Sequence, residues 1–358
     1  MRARRVTSAG TMTARDDLAR DDLTRDQRCG RAMTLAWLMV AIIFAADFIW
    51  LPFTHLAFTP SENLWKGILA ACIIVIYPVI QMIARRTRNA QHPMGIATYL
   101  VAVRFSLFVQ AFSFFAALSF SFLTFTYLAA AAAFPLRDAN LAAIDHMLGF
   151  DWLGFLSLVN AMPHVASIMI IAYQSSILQL FAMLLILSAT NRADRLSEVC
   201  AILALVSLTG AVINIFVPAN GAFLFYAPTP EMSSNIGSGS GSGHAHLFGA
   251  LREHATSLIN FDSAKGLITF PSIHTAWAII TWWAVRDVRI IGLPALLWNG
   301  IVILSTMPEG GHYFIDVVAG TVITIGAIAF VRSLHSGRGL AEAQRLREAL
   351  RDRQVLGA

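Results

Sequence analysis

Charge is what this sequence has least of. Only 13% of its 358 residues are Asp, Glu, Lys or Arg, about half the ~25% of a typical soluble domain. Such a chain lacks the polar surface that a water-soluble fold needs. Lysine is nearly missing, with Lys66 and Lys265 the two present. Cys29, Cys72 and Cys200 show no metal-ligand spacing. Cys72 and Cys200 sit within apolar runs, where a thiol reads as a small buried hydrophobe. No stretch has the strict alternation of a membrane β-barrel strand. The N-terminal segment has no apolar region of the kind a signal peptide carries. The glycine-serine stretch at 233–246 has no lysine after it, which excludes a phosphate-binding P-loop.

What the chain has instead is long apolar runs: 57% of its residues are hydrophobic. Runs at about 33–53, 64–83, 97–131, 165–188, 197–217, 267–285, 290–306 and 314–332 approach or exceed the ~20 residues that cross a bilayer as a helix. Continuous apolar runs require helices, because lipid leaves no other partner for the backbone. The expected fold is therefore an all-α polytopic membrane protein of about eight transmembrane helices. Residues 1–31 read as a disordered cytoplasmic tail, 32–95 as two N-terminal helices, 218–266 as a flexible outer loop and 334–358 as a second cytoplasmic tail. The segment at 134–152, with acids and apolar residues at helical spacing, reads as a short interfacial helix.

Orientation follows from the arginines. With the N-terminus inside and eight spans, every basic residue except Lys66, Arg137, Arg252 and Lys265 falls on the cytoplasmic side, as the positive-inside rule requires. The net charge of +5 thus reads as topology and not as a nucleic-acid footprint. The setting expected on this reading is a bacterial inner membrane.

Two short segments carry the chemistry. Phe270-Pro271-Ser272-Ile273-His274-Thr275 and Gly311-His312-Tyr313-Phe314-Ile315-Asp316 each put a histidine where an apolar run meets polar residues, on the same non-cytoplasmic face. His312 and Asp316, four residues apart, share a face of a helix, as a base and its orienting acid would. The plain alternatives are an interfacial histidine for His274 and a helix cap for the His312–Asp316 pair. Glu309 reads as a solvated loop acid near His312. The histidines at 244 and 246 read as part of a solvated linker. Tyr173, in the fourth run, reads as helix–helix glue.

The segment FPSIHTAW (270–277) resembles the second signature of the type 2 phosphatidic acid phosphatase (PAP2) superfamily, and STMPEGGHYFIDVVAG (305–320) resembles the third. The form GHYFIDVVAG is similar to the branch containing inositol phosphorylceramide synthases and sphingomyelin synthases. The resemblance implies a six-helix catalytic core over 96–333. It also implies His312 as a nucleophile forming a phosphohistidine, Asp316 as the acid that orients it, and His274 as general acid and then base. It implies no metal and no cofactor. The chain departs from the phosphatase pattern in two places. Ser305 and Thr306 stand where the phosphatases have a serine-arginine pair, and the first signature, with its lysine and arginine, is absent. A phosphomonoester dianion needs several cations and a diester fewer. The expected activity is therefore transfer of a phosphoryl headgroup between phospholipid or sphingolipid substrates. The alternatives are a lipid phosphate phosphatase of the same superfamily and a non-enzymatic membrane protein. Arg252, Lys265, Ser272 and Thr306 are the candidate groups for holding phosphoryl oxygens.

Overall fold

The computed structural model describes residues 9–58, 60–237, 241–259 and 266–335. Within these the chain is a helical bundle. Helices α1 (Ala9–Trp50), α2 (Pro60–Thr87) and α3 (Pro93–Ala131) come first. The short α4 (Asp138–Met147) and α5 (Trp152–Asn160) follow, then α6 (Pro163–Gln174), α7 (Ser176–Ala189) and α8 (Ala193–Phe216). The loop after α8 carries α9 (Ala222–Tyr226), a 3-10 turn at Pro230–Ser233 and α10 (Ala245–Arg252). The chain ends in α11 (Ile273–Val285), α12 (Gly292–Ser305) and α13 (Phe314–His335). The one extended pairing among the described residues joins Ala57 and Phe58 to Leu258 and Ile259.

Four helical segments are long and apolar enough to cross a membrane: Cys29–Phe53, α3, α8 and Phe314–Leu334. Two bent pairs raise the number to six, α4 with α5 at 82° and α6 with α7 at 52°. The chain is an all-α polytopic membrane protein, as expected. Its spans differ from eight uniform rods in two places. The run at 165–188 is two helices broken at Ser175, where the polar Gln174, Ser175 and Ser176 interrupt the apolar pattern. Helices α11 and α12 have 13 and 14 residues. At 1.5 Å per residue that is about 20 Å, short of the ~30 Å hydrocarbon core.

Helix α8 is the axis of the bundle. It packs against α1, α3, α11 and α13 and buries Val199, Cys200, Ala201, Ile202 and Ala204 on several faces. A helix apolar all round is one surrounded by other helices. Small residues bring its neighbours close: a Cβ at Gly210 would lie 2.9 Å from Ile273 Cδ1. Helix α1 adds Ala36, Val40 and Ile43 to the same core. On the outer surface Phe48, Leu178, Leu297 and Val322 are exposed, as lipid-facing side chains must be. Cys72 is also exposed, on α2, whereas Cys200 is buried. In a bilayer the outward face of a helix is apolar too, so an apolar run does not tell inward thiols from outward ones.

Candidate active site

The loop from α12 to α13 turns in very little space. Gly311 has φ +68, and a Cβ there would lie 2.8 Å from Gly241 Cα and its carbonyl oxygen. A Cβ on Gly310 would lie 2.8 Å from His312 Cδ2. Only glycines let the chain reverse against both the ring and the neighbouring strand of backbone. The His312 N–H donates to the Thr306 carbonyl at 3.2 Å, which ties the loop back to α12.

Helix α13 then begins, and its first turn organises the histidine. Asp316 Oδ2 accepts from the Tyr313 N–H at 2.9 Å and lies 3.2 Å from His312 Nδ1. Both side chains are buried. A proton on Nδ1 directed at the carboxylate leaves Nε2 with its lone pair. His274 is in the first turn of α11, which is capped by the Ser272 hydroxyl accepting from the Thr275 N–H at 3.3 Å. Its ring lies against Tyr173 at 4.5 Å and against Trp277 at 5.2 Å between centroids. The His274 and His312 rings are 6.4 Å apart at 61°. The Ser272 N–H donates to the Asp316 carbonyl at 3.0 Å, so the two helix starts that carry the histidines are directly bonded.

Both histidines line one cavity of about 640 Å³. One wall is apolar, built by Phe115, Phe122 and Leu123 of α3 with Ile177 and Phe181 of α7. The break between α6 and α7 contributes Tyr173 and Gln174 to its polar end, next to His274, Glu309 and His312. His244 also lines this cavity, with a ring nitrogen 3.0 Å from the Asn220 carbonyl. It belongs to the cavity wall and not to a solvated linker. Glu309 is 4% exposed, which corrects its reading as a solvated loop acid. Among the described residues no group of three or more His, Cys, Asp or Glu side chains is gathered as a metal ion would require.

The other candidate residues stand apart from the imidazole pair to different degrees. Ser272 is fully buried as the cap of α11. The Thr306 hydroxyl donates within its own helix to the Ile303 carbonyl at 2.7 Å. Arg252 donates to the Phe134 carbonyl at 2.8 Å and lies over the Phe248 ring, at the edge between α10 and α3. Lys265 lies outside the described residues.

Three residues not singled out in the sequence hold the His312 loop from α4 and α5. Asp145 is fully buried and accepts from the N–H groups of Phe314 at 2.7 Å and Ile315 at 2.8 Å. It fills the N-terminus of α13, where free amides and the helix dipole favour a carboxylate. Asp138 accepts from the Asn220 and Gly221 N–H groups and from the Tyr313 hydroxyl, at 2.9 Å for the last. Trp152 Nε1–H donates to the His312 carbonyl at 3.0 Å. A signal was present. Asp138 and Asp145 are seven residues apart, on one helical face with the buried Leu141 and Ala142.

Burial pushes His312 down to about 4 from 6.5, with a bond to the Thr269 backbone acting the other way. The folded protein therefore binds fewer protons than the unfolded chain between these values. Stability is unaffected by this group above pH 6.5 and falls as pH drops towards 4. If His312 acts unprotonated as the nucleophile, the acid limb of kcat/KM, which reports the free enzyme, is expected near pH 4 and not near 6.5. A pH–rate profile checks this, and a half-point at the ordinary histidine value would contradict it.

A family model of the PAP2 superfamily matches residues 139–330, just over half of the chain. The chain belongs to the PAP2 superfamily. It is thus a membrane phosphatase or phosphotransferase of the PAP2 type. No curated protein and no solved structure matches it. The matched region of this PAP2 protein runs from α4 into α13. It includes the two histidine segments and, of the residues that hold the second of them, Asp145 and Trp152, with Asp138 one residue before its start. Helix α3, which supplies the apolar wall of the cavity, lies outside the match.

Proposed function

We propose that this PAP2 protein moves a phosphoryl headgroup from one membrane lipid to the hydroxyl of another through a phosphohistidine, as an inositol phosphorylceramide synthase would. The observation that carries the reading is the pair of imidazoles, 6.4 Å apart, at the polar end of an apolar cavity whose described lining contains no Lys or Arg. Rings at that centroid separation are near enough for both to reach one phosphoryl group. The paucity of cations suits a singly charged diester better than a dianionic monoester. The Phe-rich wall between α3 and α7 suits acyl chains.

In the reaction, the lone pair of His312 Nε2 attacks phosphorus and the P–O bond to the donor's lipid breaks. The departing alkoxide takes a proton from His274. Asp316 steadies the charge that develops on the His312 ring. The acceptor hydroxyl then gives its proton to His274 and attacks phosphorus, and the P–N bond breaks. The backbone N–H groups of Ile273 and His274, in the first turn of α11, are offered as donors for phosphoryl oxygens. Thr306 supports the loop through its carbonyl.

The site is read as facing the non-cytoplasmic side. Arg195 and Arg286 lie over the Trp283 ring, at the end of α11 opposite His274, and Arg195 pairs with Asp287 at 2.6 Å. Arginines at that end and imidazoles at the other agree with the positive-inside rule.

Purified protein given a labelled inositol phospholipid, with and without ceramide or diacylglycerol, tests the proposal. Label is expected in the acceptor lipid only when the acceptor is present. Release of inorganic phosphate from a lipid phosphomonoester, with no transfer, would assign the hydrolase activity instead.

A further inference from the structure

Tyr173 approaches both imidazoles from a third helix. The face of its ring lies against His274, with centroids 4.5 Å apart at 30°. Its edge lies on the Gly310 side. A Cβ on Gly310 would come within 3.1 Å of Tyr173 Cε2 and 2.8 Å of His312 Cδ2. One point beside the glycine is thus close to both rings. Cε2 is bonded to the carbon that bears the tyrosine hydroxyl, and Cδ2 is bonded to Nε2, the His312 nitrogen with the lone pair. The bend between α6 and α7 holds the tyrosine there. Ser175 Oγ accepts from Trp298 Nε1–H of α12 and from Gln179 Nε2 of α7, both at 3.0 Å. The Ser176 hydroxyl donates to the Tyr173 carbonyl at 2.7 Å.

Donors are scarce in this cavity. Its described lining has no Lys or Arg. The hydroxyls of Thr126 and Thr269, in the same lining, donate to the Leu123 and Ala219 carbonyls. Tyr173 is half-buried and lines the cavity, and among the described residues its hydroxyl has no hydrogen-bond partner. Negative charge grows on the non-bridging oxygens as phosphorus becomes five-coordinate. A fixed O–H donor aimed at one of them is worth more in the transition state than in the ground state. We propose that the Tyr173 hydroxyl donates a hydrogen bond to a non-bridging oxygen of the phosphoryl group as it passes to and from His312 Nε2. It takes the place that a cation would fill. The hydroxyl keeps its proton throughout, and proton transfer stays with His274. This inference rests on the transferase reading of the His274–His312 pair.

The test is Tyr173→Phe, which keeps a ring against His274 and removes only the hydroxyl. No described group loses a hydrogen bond, so the variant should melt with the wild type in detergent. For label transfer from an inositol phospholipid to an acceptor lipid, kcat and kcat/KM are expected to fall together by about 10²-fold, the scale for loss of one donor to a developing anion. Tyr173→Leu, which removes the ring as well, should be at least as slow. Tyr173→Phe at the wild-type kcat overturns the inference, and a slow Tyr173→Leu beside it would leave the ring as packing for His274. A rise in KM alone also overturns it. A second measurement separates donation from packing. Sulfur accepts hydrogen bonds weakly. Of the two diastereomers of a phosphorothioate donor lipid, one should therefore react about tenfold or more slowly with the wild type, and the gap should shrink in Tyr173→Phe. A fall in kcat with that gap unchanged overturns the inference. Should Tyr173→Phe fail to fold, the wild type carries the test, and equal rates for the two diastereomers overturn the inference. Failure of the transferase reading is separately visible, as monoester hydrolysis by the wild type without transfer to any acceptor.

Discussion

His312→Gln is expected to abolish headgroup transfer, with a fall of roughly 10⁴-fold or more, the scale on which removal of a nucleophile acts when it works as a unit with its partners. The glutamine keeps a polar side chain next to Asp316, whose Oδ2 retains the Tyr313 N–H, so the first turn of α13 should persist. His312→Ala is the harsher variant. It leaves a buried carboxylate with one donor fewer, and Asp316 Oδ1 already has no hydrogen-bond partner among the described residues. Removing a partner of a buried polar group destabilises by about 1–3 kcal/mol, so the alanine variant should melt earlier than the glutamine variant. Label transfer between lipids, together with melting temperatures in detergent, separates lost chemistry from lost fold. Retained transfer in His312→Gln would end the phosphohistidine mechanism.

Asp145→Ala is expected to have the second largest effect, through positioning. Its carboxylate accepts from the amides of Phe314 and Ile315, the first two residues of α13. Loss of both bonds at a buried helix start destabilises by roughly 2–4 kcal/mol in total, taking about 1–2 for each orphaned donor. The same helix start sets where Asp316 and His312 meet. A shift of about 1 Å in such a unit costs on the order of 10²-fold in rate. The fall should appear in kcat more than in KM, because Asp145 itself lies outside the residues lining the cavity. Asp145→Asn keeps one oxygen acceptor and should recover part of both losses. A variant that melts earlier yet transfers headgroup at the wild-type kcat would leave Asp145 a purely structural cap.

The site was legible where its pieces are local. His312 and Asp316 are one helical turn apart, and a turn length is written directly in the spacing. Ser272, read as a group for holding phosphoryl oxygens, is the cap of α11, a role that a serine just before an apolar helix also fits. Apolar length announces a membrane helix whatever it packs against, so the polytopic class followed from the runs alone. The shape of the spans was less legible. The run at 165–188 is apolar enough to read as one rod. The polar Gln174, Ser175 and Ser176 mark the place of the bend, and its direction follows what the two halves pack on, α6 against α12 and α7 against α11 and α3.

What remained hidden is long-range and polar. Asp145 finds its amide partners 169 and 170 residues away, and no periodicity in one segment specifies its partner in another. Glu309 looks solvated because acids in loops normally are. Gly237 and Gly241, 72 and 68 residues away in the chain, donate to its side chain and its carbonyl. Arg252 looks like an outer cation free to meet phosphate, yet it ends α10 on the α3 side, against the Phe134 carbonyl. The amino-acid order determined a helical membrane protein and the histidine and aspartate of its motifs, since hydropathy and turn spacing act over one element at a time. Tertiary structure alone decided which buried acids clamp the His312 loop, which carboxylate lines the cavity and which cation turns away. Each of those outcomes depends on helices meeting that are far apart in the chain.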